Sequence, residues 1–148
     1  MQNKFFGLIS MSVLLSATLS GCATPYGDAR NPITGWTGGY YESKGPGELI
    51  KVIFAGNSII KTDTVSVYLL YRCAEIAQRE GKPYFAFYQN LPDAVMDKKS
   101  NSKAASTVGR KPTDYAYILL SQEDKPGYLS ASAVMSSLAI HVKPEGGK

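Results

Sequence analysis

Histidine is almost missing from this chain: His141 stands alone among 148 residues, beside two cysteines and one tryptophan. A structural zinc site takes four Cys/His ligands, and Cys22, Cys73 and His141 fall short of that number. The same scarcity limits nucleophilic catalysis. Cys73 with His141 is the one thiol–imidazole pair on offer, and no nucleophile–base–orienter set can be assembled around it. Charge is modest too, at 16 Lys+Arg against 12 Asp+Glu for a net +4, too mild to imply a nucleic-acid partner. No apolar run reaches the ~20 residues that a membrane-spanning helix needs, and no internal repeat is visible. Neither a cofactor nor a metal is expected.

What is present begins at the N-terminus. Lys4 supplies a positive charge, and Phe5 to Leu19 forms an apolar stretch of 15 residues broken by Ser10, Ser12 and Ser16. That is the length of a signal peptide. The stretch closes on Leu19-Ser20-Gly21-Cys22, an aliphatic residue and two small ones before a cysteine. This resembles the lipobox of bacterial lipoproteins. Small side chains admit the backbone to a peptidase cleft, and the Cys22 thiol is open to alkylation by a diacylglyceryl group. The resemblance implies cleavage before Cys22 and acylation of the new N-terminus. Ala23 stands where inner-membrane lipoproteins often carry Asp, so it favours the outer membrane. In that case Cys73 is the only free thiol left, and no intramolecular disulfide forms.

Three regions follow: residues 1–21 as signal peptide, 22–35 as lipidated cysteine and flexible tether, and 36–148 as a single domain. Removing residues 1–21 leaves 127 residues with a formal charge of +3, a comfortable size for one domain. The tether reading rests on Ala23 to Gly35, whose two prolines and two glycines carry no apolar periodicity. At ~5–6 Å × √n, such a segment reaches roughly 20 Å.

Within the domain, Trp36 to Ser43 and Glu48 to Ala55 read as strands joined at Lys44-Gly45-Pro46-Gly47, with Ile50, Val52 and Phe54 on one face. Thr62 to Glu80 reads as an amphipathic helix. Val65, Leu69, Cys73, Ile76 and Ala77 lie on one face, Thr62 or Asp63 is available as a cap, and Gly81 stands at the C-terminal position. Pro83 to Gln89 and Thr113 to Ser121 are further strands, separated by a long polar segment from Asn90 to Pro112. Residues 128–142 fit either a short helix capped by Ser130, with Ala139 to Val142 adding a strand, or a hairpin return. The helix is preferred. The expected fold is α+β, a two-layer sandwich. It has a small, mainly antiparallel β-β-α-β-β sheet, one long helix on one face and a short C-terminal element.

Four short motifs occur in order: GGYYE at 38–42, FAGN at 54–57, YLLYRCAEIA at 68–77 and G-x-x-YF at 81–85. Together they resemble a family of small, uncharacterised Gram-negative envelope lipoproteins, over roughly Thr34 to Tyr88. The family carries no assigned activity, so the resemblance transfers no functional residues.

Other candidates come from the residues alone. Cys73 sits mid-helix on the apolar face and is expected to be buried. Arg72 and Glu75 are spaced as a helix-surface pair, with a binding role for Arg72 at the sheet edge as the sharper reading. Asp93 and Asp97 lie in the polar segment without a positioned partner. Ten tyrosines, among them Tyr40, Tyr41, Tyr84, Tyr88, Tyr115 and Tyr117, read as half-buried strand residues or as an aromatic patch for a protein or glycan. Lys98, Lys99, Lys103, Arg110 and Lys111 occur with no acid among them and suggest a mobile loop that can meet an anionic lipid or glycan surface.

The sequence therefore favours a membrane-anchored envelope lipoprotein with a non-enzymatic binding or assembly-accessory domain. Its partners are the membrane through Cys22 and an envelope protein or anionic lipid or glycan. The alternative is a hydrolase or other enzyme acting on cell-envelope polymers.

Overall fold

The computed structural model describes residues 22–32 and 35–142, so the signal-peptide reading of residues 1–21 lies outside the described residues. The elements run β1 (Gly39–Lys44), β2 (Ile50–Ala55), α1 (Thr62–Arg79), β3 (Tyr84–Tyr88), α2 (Leu91–Val95), β4 (Ser106–Val108), β5 (Lys111–Ser121), β6 (Leu129–Ser130) and α3 (Ala131–Val142). The strands form one six-stranded antiparallel sheet ordered β1-β2-β5-β3-β6, with β4 also paired to β5. The fold is α+β, as the periodicities require.

Alternation in the strands sorts the sheet into two faces. Ile50, Val52 and Phe54 share the inner face with Ala116 and Ile118 of β5 and Phe85 and Phe87 of β3. Against them α1 lays Val65, Leu69, Cys73, Ile76 and Ala77, with Ala74 also buried. Each fully buried Phe, Leu or Ile contributes roughly 1.5–3 kcal/mol through apolar area removed from water. The α3 helix packs beside α1, with Val134 and Met135 against the same core.

The helix ends differ from expectation at one side. Lys61 takes the N-cap position with no side-chain cap hydrogen bond, so neither Thr62 nor Asp63 caps. At the other end Gly81 adopts φ +66°. Its N–H donates to the Gln78 carbonyl, and that of Lys82 to the Ala77 carbonyl, the paired bonds of a Schellman motif.

Four expectations need correction. Residues 35–37 form a 3-10 turn, and β1 begins only at Gly39. The polar segment from Asn90 to Pro112 contains α2, begun by Asn90 accepting the Asp93 N–H, and β4, which turns into β5 through Gly109 and Arg110 at φ +57° and +65°. Two successive left-handed residues are the geometry of a type I′ hairpin turn. Residues 131–142 are helix throughout, so no strand forms at Ala139 to Val142, and the Ser130 hydroxyl accepts the Ala133 N–H at 3.4 Å. The largest departure is the supposed tether: residues 22–32 are fixed against the domain.

Candidate functional site

The fixing begins at Cys22, which is exposed. Its carbonyl accepts a hydrogen bond from Asn57 Nδ2 at 2.8 Å. The other atom of the same amide, Asn57 Oδ1, accepts the N–H groups of Ile59 and Ile60 at 3.0 and 3.1 Å. One side chain thus holds both the start of the described chain and the approach to α1. The Asn57 N–H donates to Thr24 Oγ1 at 2.7 Å, and that hydroxyl donates to the Thr37 carbonyl at 2.5 Å. Thr24 is correspondingly buried.

Next the segment joins the sheet edge. Tyr40 N–H donates to the Gly27 carbonyl at 2.8 Å and Ala29 N–H to the Tyr40 carbonyl at 2.9 Å, a short parallel bridge. Between these contacts the Tyr26 ring enters a box of tyrosines, with centroids 4.9 Å from Tyr40, 5.3 Å from Tyr68 and 5.5 Å from Tyr71. Tilted and edge-to-face pairs of this kind contribute ~0.5–1.5 kcal/mol each beyond area burial. The Tyr26 hydroxyl donates to Glu75 Oε2. Burial first, then that hydrogen bond, holds the phenol well above its ordinary ionisation range.

Glu75 is shared. Arg72 Nη1 donates to the same Oε2 at 2.9 Å, while Nη2 lies 3.5 Å from Glu42 Oε2 on β1 and the guanidinium stacks 4.0 Å over the Tyr40 ring. Arg79 completes the set with Nη1 at 2.7 Å from Glu42 Oε1. The Arg72 and Glu75 side chains are only 14% and 22% exposed. They are not the solvated helix-surface pair their spacing suggests. The network joins α1, β1 and the N-terminal segment.

The five cations read as one mobile anionic-surface loop are dispersed. Lys103 Nζ lies 2.8 Å from Asp114 Oδ1, and it donates to the Gln89 and Tyr115 carbonyls at 2.7 and 2.6 Å. It fills the gap along β5 between the end of β3 and the start of β4, and Asp114 is nearly inaccessible. Lys99 pairs with Asp97 at 2.6 Å. Lys98, Arg110 and Lys111 are exposed, the last two at the β4–β5 turn. Asp97 also accepts from the Tyr88 hydroxyl at 2.6 Å, and Lys99, then Tyr88, holds its carboxyl below the usual range. Asp93 is tied to Asn90 in both directions at the start of α2. Both carboxylates latch the segment rather than facing each other across a site.

Cys73 is fully buried, which pushes its thiol far above the ordinary range, whereas His141 is exposed on the last turn of α3. Among the described residues, the buried Cys73 thiol therefore offers His141 no solvent-reachable partner. On the outer sheet face Tyr41, Lys51, Ile53, Tyr115 and Tyr117 are register neighbours, with Lys51 Nζ 4.8 Å from the Tyr115 centroid. Tyr84 and Tyr88 share that face, and Tyr88 is buried. Among the described residues no group of three or more His, Cys, Asp or Glu is placed to hold a metal ion, and no helix is long and apolar enough to cross a membrane.

No protein-family model, curated protein or solved structure matches this chain. Its chemistry is therefore read from its own residues. Sequence reasoning missed Thr24, Tyr26, Glu42 and Asn57. The one signal available was Tyr26 itself, an aromatic in a segment otherwise composed like a linker.

Proposed function

We propose that this chain is a lipid-anchored envelope lipoprotein, held at the periplasmic face of the outer membrane through Cys22, and that its domain binds or helps assemble other envelope components without catalysing a reaction. The observation that carries the reading is Leu19-Ser20-Gly21-Cys22 behind a short basic and apolar leader. The Cys22 thiol takes a diacylglyceryl group as a thioether, and cleavage there frees the Cys22 α-amine for acylation, so the one residue carries several acyl chains. One acyl chain binds a bilayer only marginally, while two or more anchor it stably. Ala23 in the next position favours the outer membrane. The tyrosine-bearing outer face of the sheet supports the binding reading, because such rings offer wide contact area and a polar tip at little cost in side-chain freedom.

Metabolic labelling with palmitate tests the anchor. The wild-type chain incorporates label, and Cys22→Ser loses it and accumulates as uncleaved precursor. Labelling of Cys22→Ser at the wild-type level contradicts the reading.

A further inference from the structure

The end of the sheet that holds Cys22 gathers exposed apolar groups and cations. Trp36 is 91% exposed on its 3-10 turn, and its indole N–H donates to the Pro32 carbonyl at 3.1 Å. It lines a shallow cleft with Asn57, whose amide holds Cys22, and with Lys111. Ile59 is 51% exposed two residues beyond Asn57. Lys61 and Lys111, both exposed, flank a close contact: a Cβ on Gly56 would stand 2.4 Å from Ile60 Cγ2 and 2.8 Å from the Pro112 carbonyl. Thr113 is the β5 residue opposite Ala55, so Pro112 and Lys111 run on past the end of β2, carrying the Arg110 turn and Val108, 68% exposed, in the same direction. Asp63 is the exposed carboxylate in the first turn of α1 beside them.

At 91% exposure Trp36 packs little against the described residues, and tryptophan is enriched at the boundary between headgroups and acyl chains. Ile59 and Val108 at the same end of the sheet add exposed apolar area, and lysine and arginine there can pair with lipid phosphates. We infer that this end of the domain is a second membrane contact: the anionic bilayer surface seats Trp36, Ile59 and Val108 among its headgroups, with Lys61, Arg110 and Lys111 on the phosphates. The inference rests on the proposed Cys22 anchor for its delivery to the membrane. It assigns the domain a fixed orientation there, with the sheet end down and the tyrosine face standing clear. Because Asn57 grips Cys22, the acyl chains would leave from the middle of this patch.

Trp36 is the sole tryptophan, so its emission reports the contact directly. The full chain, processed in cells and purified, is reconstituted into phosphatidylethanolamine–phosphatidylglycerol vesicles, with or without bromine on the lipid acyl chains. The expected result is quenching in brominated vesicles, with emission shifted to shorter wavelength relative to Lys61→Glu/Lys111→Glu protein that floats with the same vesicles. Protein that floats with the vesicles but keeps full Trp36 emission in brominated lipid overturns the contact while leaving the anchor standing. An intact mass reading on the same sample separates the two claims. If Cys22 carries no acyl group, quenching by brominated vesicles still supports the contact, and its absence overturns it.

Discussion

The Tyr26 hydroxyl donates to Glu75 Oε2 across 49 residues of sequence, and Arg72 holds the same oxygen from the other side. That shared carboxylate oxygen ties the segment behind Cys22 to the long helix. If the proposed anchor is correct, the domain hangs from a fixed point rather than from a leash of roughly 20 Å.

Tyr26→Phe keeps the ring in its tyrosine box but removes the donor, and should cost about 1.5–3 kcal/mol by urea denaturation at pH 7, since the lost bond is to a charged group. It should also change the alkaline limb of stability. The folded-state ionisation of Tyr26 is raised above its ordinary value of 10.0. Above pH 10 the unfolded chain therefore loses a proton that the folded chain keeps, and stability falls as pH rises. Tyr88, raised likewise by burial and Asp97, contributes to the same loss. Tyr26→Phe should flatten the decline above pH 10 while lowering the curve between pH 6 and 9 by a constant amount, with its slope there unchanged. An unchanged alkaline slope would show that Tyr26 ionises freely.

Lys103→Gln removes one partner of the pair with Asp114, whose side chain is 1% exposed. Breaking such a pair typically costs about 3–5 kcal/mol because a charge is left buried alone. Thermal melting should show a large loss for Lys103→Gln and almost none for Lys98→Gln, which is exposed. Equal, small effects for both would mean that Lys103 belongs to a solvated loop after all.

Asn57→Ala deletes three hydrogen bonds at once, to Cys22, Ile59 and Ile60. A loss of about 0.5–1.5 kcal/mol is expected, the net worth of an ordinary hydrogen bond, because the Ile60 N–H is partly buried while the other two bonds are exposed to water. Asn57→Asp should restore the two acceptor bonds but not the donor to Cys22, and recover part of that loss. Identical stability of all three proteins would remove Asn57 from the fixing of the chain end.

Cys73 should resist thiol reagents in the folded protein and react on denaturation, because it is fully buried and its thiol is held protonated. Cys73→Ala should cost on the order of 1 kcal/mol from lost packing. Rapid labelling of native protein would contradict the placement and reopen the search for a nucleophile.

The helix, the first hairpin and the inner sheet face were legible because each carries a period: Val65, Leu69, Cys73 and Ile76 at helical spacing, Ile50, Val52 and Phe54 at every second residue. The basic segment was not. A lysine whose ammonium plugs a gap between strands and one in free solution look alike until β3, β4 and β5 are assembled around Lys103. The segment behind Cys22 failed for a related reason. Its composition is that of a linker, and what orders it is held elsewhere: Asn57 between β2 and α1, Tyr40 on β1, and Tyr68, Tyr71 and Glu75 on α1. Glu42 and Arg72 likewise became a network only when β1 lay beside α1.

Amide hydrogen exchange on the full chain tests the docking of the Cys22 segment most directly. Among the described residues, the N–H groups of Ala29, Tyr40 and Asn57 are bonded through that docking, to the Tyr40 carbonyl, the Gly27 carbonyl and Thr24 Oγ1. All three should be protected well beyond peptide rates, Tyr40 as strongly as an interior strand amide. Exchange of all three at the rate of an unstructured peptide, while β2 and β5 stay protected, would mean that residues 22–32 swing free of the domain.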